Sequence, residues 1–159
     1  MNDKAKTICF TGHREIKDTD EVKKRLLVSL ENLIINGYYS FITGGALGFD
    51  TIAAQIVLEL KKKYPQISLT IALPFLNPFE YEKGWRSEDI EAYIFLKNNV
   101  DEVVILNKSY KRGCYYERNR YMVDNSSVCI AYQRRKSGGT AYTVEYAVTN
   151  KIKVINIAK

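Results

Sequence analysis

The sequence is poor in the residues that build disulfide, zinc and membrane proteins. Its 159 residues include only three cysteines, three prolines and one histidine. The odd number of cysteines and the lack of a CxxC pair predict buried, reduced thiols. A single histidine without a Cys/His cluster predicts no metal site.

Long apolar segments are also missing. No apolar run approaches the roughly 18 residues that cross a membrane. The first ten residues lack the apolar core of a signal peptide. A cytoplasmic protein without a membrane partner is therefore expected.

The excess of positive charge, formally +6, is concentrated in one segment. Residues 108–136 contain eight basic residues and two acidic ones, a difference that equals the excess of the whole chain. The basic residues are Lys108, Lys111, Arg112, Arg118, Arg120, Arg134, Arg135 and Lys136. They predict either a basic rim around a site for an anionic ligand or a solvated basic face. Tyrosines in the same segment also suit single-stranded nucleic acid.

Short apolar runs alternate with segments of helical spacing along the whole chain. The predicted strands are "KTICF", "YYSFIT", "ISLTIAL", "DEVVIL", "SSVCIAY" and "KVINIA", and the third is expected to stop at Pro74. Such alternation predicts a largely parallel sheet with helices on both faces. We therefore expect one α/β domain over residues 1–159, a Rossmann-like three-layer sandwich.

Three glycine turns follow predicted strands, namely "TGHR" at 11–14, "TGGALGFD" at 43–50 and "SGGT" at 137–140. Ligands of such sheets lie at the carboxyl ends of the strands. Glycine lets backbone N–H groups approach a phosphate, and the next helix adds partial positive charge. The turns predict a phosphate-bearing ligand. The candidate ligand-binding residues here are Gly12, His13, Arg14, Gly44, Gly45, Gly48, Asp50, Gly138, Gly139 and Thr140.

The usual cofactor signatures are absent. The chain has neither GxGxxG nor GxxxxGK[ST], and no acidic residue ends the third strand. We therefore predict no cofactor. Asp50 is interpreted either as a ligand for ribose hydroxyls or as the cap of the helix that it begins. Trp85 is interpreted either as a platform for a base or as part of a lid or dimer contact.

The order of the motifs "TGHR", "TGGALGFD", "ALPF" and "ERNRYMVDNSS…GGT…YA" resembles the YpsA-like family of the SLOG superfamily. The resemblance covers almost the whole chain. It implies a bacterial protein with a Rossmann-like fold that binds a nucleotide or a nucleotide-derived small molecule. A sensing or regulatory role is the function that this resemblance favours.

The LOG phosphoribohydrolases of the same superfamily carry an "ERK…M" helix and a "PGGxGTxxE" turn, which "ERNRYM" and "GGTAYTVE" resemble here. This resemblance implies Arg118 and Glu145 as a catalytic pair for hydrolysis of an N-glycosidic bond in a nucleoside 5′-monophosphate. It also adds Arg118 and Asn119 to the ligand-binding residues. The chain departs from the LOG pattern at Asn119, Ser137, Ala141 and Tyr142, where the family has lysine, proline, glycine and threonine.

Three functions therefore stay open from the sequence. The first is nucleotide binding, the second is LOG-like hydrolysis, and the third is binding of single-stranded nucleic acid by analogy with the related DprA fold. A homodimer also stays open.

Overall fold

A computed structural model describes residues 3–158 of the chain. Within that range the strands are β1 (Thr7–Gly12), β2 (Ser40–Thr43), β3 (Ser68–Phe75), β4 (Glu102–Asn107), β5 (Val128–Tyr132) and β6 (Lys153–Asn156). The α-helices are α1 (Thr19–Ile35), α2 (Phe49–Lys63), α3 (Ser87–Asn99), α4 (Cys114–Asp124) and α5 (Gly139–Thr149). Single 3-10 turns cover Lys4–Lys6 and Pro78–Glu80.

All strand pairs in the sheet are parallel, and their order is β4-β3-β2-β1-β5-β6. The chain moves outward from β1 to β4 and then returns to the other side of β1 to form β5 and β6. The direction of winding therefore reverses between β1 and β5. In open parallel sheets the crevice at such a reversal, beyond the carboxyl ends of the strands, is where ligands bind.

Helices cover both faces of the sheet. On one face α1, α2 and α3 pack over side chains such as Phe10, Phe41 and Leu73. On the other face α4 and α5 cover Cys9, Ile42 and further buried side chains. Because both faces are covered, the strands are nearly continuous apolar runs rather than alternating ones.

The α/β Rossmann-like architecture predicted from the sequence is confirmed, and all six predicted strands are present within residues 3–158. The expected buried, free thiols are also confirmed for Cys9, Cys114 and Cys129.

The expected stop of the third strand at Pro74 is wrong, because β3 continues to Phe75. The last β2 residue, Thr43, pairs with Ile71, so at Pro74 only β4 still lies beside β3. A proline is tolerated where no neighbouring strand needs its missing N–H.

Leu30→Ala is expected to lower the free energy of unfolding by about 2–5 kcal/mol, because it leaves a cavity under α1. Leu30 is fully buried, whereas Val28 on the same helix is 62% exposed. Urea denaturation of Leu30→Ala and of the control Val28→Ala tests this. The control is expected to change the free energy by less than about 0.5 kcal/mol. Equal losses in the two variants would contradict the packing described here.

Candidate functional site

A cavity of about 290 Å³ lies beyond the carboxyl ends of the strands, where the direction of winding reverses between β1 and β5. We call it the switch-point cavity. Its walls come from the end of β1 and the turn after it, from α4, from the segment that leads into α5, and from Ala46, Asp50 and Glu82. Segments far apart in sequence thus meet at the crevice that the topology creates.

Most of the predicted ligand-binding residues line this cavity. Those that do are Gly12, His13, Arg14, Asp50, Arg118, Asn119, Gly139 and Thr140. Gly44, Gly45, Gly48 and Gly138 are not part of its wall. Glu145 is also outside the wall, on the exposed side of α5. The structure therefore brings Arg118, but not its predicted catalytic partner, to the cavity.

Arg118 forms the floor of the cavity and is only 6% exposed. Its Nη1 donates to the carbonyl oxygen of Gly44 at 2.5 Å and faces that of Ala72 at 3.5 Å. Its Nε donates to Oδ1 of Asn119 at 2.8 Å. Within residues 3–158, none of its hydrogen bonds uses Nη2. Two N–H groups of a fixed cation therefore stay available to a ligand.

Asp50 lies in the first turn of α2, and its side chain accepts the backbone N–H of Ala46 at 3.3 Å. Burial raises the pKa of Asp50 to about 6, against the opposing charge of Arg118. Burial also lowers the pKa of Arg118, an effect that Asp50 opposes. The carboxylate thus holds the turn after β2 and balances part of the buried charge.

His13 follows the last residue of β1 and is only 5% exposed. The ring Nε2 accepts the backbone N–H of Arg134 at 2.8 Å, so Nε2 carries no proton. Burial, followed by the charges of Arg135 and Arg134, lowers the pKa of His13 below its ordinary 6.5. At pH 7 the ring is therefore neutral and its remaining proton is on Nδ1. This N–H is a hydrogen-bond donor beside Arg135, whose Nη2 is 3.5 Å away.

The glycines after β2 have packing roles. A Cβ at Gly44 would lie 2.8 Å from both Nη1 of Arg118 and Oδ2 of Asp50. A Cβ at Gly48, which has a φ of +81°, would lie 2.1 Å from the carbonyl oxygen of Arg14. These glycines let the chain close around the floor of the cavity. A Cβ at Gly139, in contrast, would meet no atom within 4 Å.

Glu82 lines the cavity but was not singled out from the sequence. It lies in the segment between β3 and α3, where Nη2 of Arg14 donates to its Oε1 at 2.5 Å. Nε1 of Trp85 donates to the same oxygen at 2.9 Å. Trp85 itself packs against Phe79 and Tyr93, away from the cavity wall. In the sequence, the aromatic residues near Glu82 are the feature that could have drawn attention to this segment.

No group of three or more His, Cys, Asp or Glu side chains in residues 3–158 is arranged to hold a metal ion. In the same range no helix has both the length and the apolar character that crossing a membrane requires.

A sequence model of the YpsA family, described as the YspA SLOG family, matches residues 8–157. The chain belongs to this family. The resemblance identified from the motifs is thereby confirmed. YoqJ of Bacillus subtilis (strain 168), named an uncharacterized SPbeta prophage-derived protein, is 33% identical, and the alignment covers 80% of each chain. A UPF0398 protein of Bacillus thuringiensis (strain Al Hakam) is 31% identical over 89% of this chain and 82% of its own.

Two solved structures of DNA processing protein A are similar in fold. The protein from Helicobacter pylori, studied for its single-stranded DNA binding mode, has a TM-score of 0.64 at 19% identity over 93% of this chain. DprA from Streptococcus pneumoniae has a TM-score of 0.66 at 16% identity over 95% of this chain. This chain spans 63% and 50% of those two proteins, respectively. At these identities the likeness shows the fold alone.

Asp50→Asn is expected to gain stability relative to the wild type as the pH rises from 4 to 7. The folded pKa of about 6 lies above the ordinary value of 3.8, so the folded state holds the proton more tightly. The stability that comes from protonated Asp50 is full below pH 4 and is lost as the pH rises through 6. The rise in the pKa of Asp50 corresponds to roughly 3 kcal/mol in the free energy of unfolding.

The amide of the variant cannot ionise but keeps an oxygen for the Ala46 N–H. Urea denaturation of both proteins at pH 4, 5, 6 and 7 measures the difference in the free energy of unfolding. A difference that stays constant over this range would contradict the buried position of the carboxyl group.

Proposed function

We propose that this chain binds a nucleotide or nucleotide-derived small molecule in the switch-point cavity and has a sensing or regulatory role. The observation that carries the proposal is the convergence of hydrogen-bond donors and positive charge from separate segments on one cavity. These donors are His13 at the end of β1, Arg118 on α4, Arg135 after β5, and the start of α5.

The phosphate is assigned to the side of the cavity formed by α5. Gly139 and Thr140, the first two residues of that helix, line the cavity. The N-terminus of a helix presents free N–H groups and partial positive charge, a combination that favours anions. His13 adds a neutral N–H donor and Arg135 adds charge at the exposed rim. Together they provide directional hydrogen bonds and net attraction for a phosphate.

Arg118 strengthens this assignment because its guanidinium is fixed before any ligand arrives. The bonds to Gly44 and Asn119 hold the group in place, and Nη2 stays free within the described residues. A donor that is already ordered loses little conformational entropy on binding. Hydrogen bonds from an ionised donor are also about twice as strong as neutral ones.

The two alternative functions have less support. A LOG-like hydrolase needs Glu145 at the reacting bond, but this side chain is exposed and outside the cavity wall. Binding of single-stranded DNA, as studied for the H. pylori relative in fold, would use the exposed segment 134–136 at the rim. That segment also suits a small phosphate ligand, and the cavity of about 290 Å³ beside it has room for one.

A thermal-shift panel is expected to contain at least one stabilising ligand. The panel consists of nucleoside mono- and diphosphates, ADP-ribose, NAD, cyclic dinucleotides and an oligothymidylate at physiological salt. A ligand at about 100 times its Kd adds roughly 2.7 kcal/mol to the free energy of unfolding, which raises the Tm by several degrees. Gly139→Val should abolish the shift, because it adds bulk to the cavity wall at a position where a Cβ meets no protein atom within 4 Å.

Thr149→Val is the matched control, since it places the same side chain at the exposed end of α5. It should keep the full shift. If every compound leaves the Tm unchanged, the proposal fails. A shift with oligothymidylate alone would favour the nucleic-acid function instead.

Glu145→Gln is expected to leave nucleotide binding unchanged, because the side chain lies outside the cavity wall. We also expect the wild type to release no free base from nucleoside 5′-monophosphates. Chromatography of overnight incubations measures the base, and calorimetry measures the binding. Rapid base release that Glu145→Gln removes would make the chain a hydrolase, since only a carboxylate stabilises a developing cation well.

A further inference from the structure

The two edges of the sheet differ in how well they are protected. At one edge, β6 is four residues long and begins with the exposed Lys153. At the other edge, β4 is six residues long and has four consecutive apolar residues at 103–106. Short strands and lysines prevent an edge from pairing with another chain, whereas a longer apolar edge strand is a template for such pairing. The edge formed by β4 is therefore the one where a partner is expected.

The backbone on the outer side of β4 is open to a partner. Within residues 3–158, β4 pairs only with β3. In the same range, no loop or helix forms a backbone hydrogen bond with residues 102–107. An edge strand of this kind presents a row of unpaired N–H and C=O groups. A second strand alongside β4 would complete those hydrogen bonds.

The side chains along this edge are apolar and partly exposed. Ile105 is 46% exposed, although Val103, two residues earlier on the same face of the sheet, packs against the core beneath α1, α2 and α3. On that face α3, the helix before β4, exposes Ile94 by 41%. A scattered apolar residue on a surface is ordinary. An exposed isoleucine in the middle of an open edge strand, in contrast, would gain burial from a neighbouring strand.

The charges at the two ends of β4 indicate which partner fits. Glu102 is the first residue of the strand, Lys108 directly follows its last residue, and both are exposed. Neither belongs to an ion pair within the described part of the chain. If two copies of β4 run antiparallel, the acidic start of each lies opposite the basic end of the other. Symmetry makes this attraction occur twice, whereas a parallel in-register pairing would bring like charges together.

The same two residues define the register of the pairing. Residue 105 lies midway between 102 and 108, so a pairing of Glu102 with Lys108 of the second copy places Ile105 on the two-fold axis. Each Ile105 then faces its symmetry mate, and directly opposite residues of an antiparallel pair share one face of the sheet. The exposed isoleucine is thereby buried at the centre of the contact.

We propose that the free edge of β4 is a homodimer interface, in which two copies pair their β4 strands antiparallel about a two-fold axis at Ile105. The two six-stranded sheets then form one continuous sheet. Because the axis reverses the strand direction, the switch-point cavities of the two copies open at opposite edges of that sheet. Each cavity is complete within its own chain, so the interface does not depend on the proposed function.

Sedimentation equilibrium of the full chain tests the interface and its direction. The wild type is expected to form dimers. Glu102→Lys and Lys108→Glu should each raise the dissociation constant of the dimer by about tenfold, because each change sets like charges opposite one another at two symmetric places. The double variant Glu102→Lys/Lys108→Glu should restore dimerisation. Lys153→Glu, the same substitution on the other edge strand, is the matched control and should leave the dissociation constant unchanged.

Oxidation of Ile105→Cys with copper phenanthroline tests the register. The Cβ atoms of directly opposite residues are about 5 Å apart, which a small adjustment brings within the range of a disulfide. A covalent dimer should therefore appear on a non-reducing gel, since the three native cysteines are buried. Ile155→Cys, on β6 at the opposite edge, should stay monomeric on the gel.

A wild type that remains monomeric at the highest attainable concentration would refute the interface. A dimer that persists undiminished in both single charge variants, or that forms without cross-linking in Ile105→Cys, would place the contact elsewhere and overturn the inference. Nucleotide binding by the monomer would stand in either case.

Discussion

The guanidinium of Arg118 is the point at which the two layers of helices meet over the sheet edge. Arg118 comes from α4 on one face, whereas Asp50 comes from α2 on the other. Nη1 of Arg118 contacts the carbonyl group of Gly44, directly after β2, and that of Ala72, within β3. A cation this deeply buried is stable only where acceptors surround it. The turn after β2, the start of α2 and the position of α4 therefore depend on one another.

This dependence explains the glycine at position 44 in physical terms. A side chain there would occupy the space that the guanidinium and the Asp50 carboxylate need. The absence of a side chain at Gly44 leaves room for the arginine, which lines the cavity. The glycine-rich turn contributes to the candidate site indirectly, through a residue 74 positions away in the sequence. Direct approach of a ligand to the backbone is left mainly to Gly139, where the space is open.

Much of the fold could be predicted because it follows from local pattern. Apolar runs such as "VCIAY" need burial on both sides, and glycine turns mark where strands end. The common edge of those turns then follows from the parallel arrangement. The reach of individual side chains could not be predicted in this way. Glu82 bonds to Arg14 across 68 residues, which no spacing along the chain reveals.

Glu145 shows a second limit of prediction from sequence spacing. Its distance from Gly138 and Gly139 matches the motif of the hydrolases, but spacing along a helix does not fix which side of the helix faces a ligand. Along α5 the buried positions are Thr140, Thr143 and Ala147, which define the inner face. Glu145 lies between these positions on the exposed side, and its catalytic role stays a prediction.

The likeness to DNA processing protein A concerns the fold. The residues that line the cavity concern the ligand. The shared fold places a crevice at the same reversal of strand order in any protein built this way. What enters the crevice is decided by the segments that border it, here residues 76–86 and 133–138. One segment brings the Glu82 carboxylate to one end of the cavity, and the other brings Arg135 toward the opposite end. Because Arg14 pairs with Glu82, the Glu82 end of the cavity carries both signs of charge and does not simply repel a phosphate. The ligand of this chain is therefore a matter of these two bordering segments and not of the fold that it shares with DNA processing protein A.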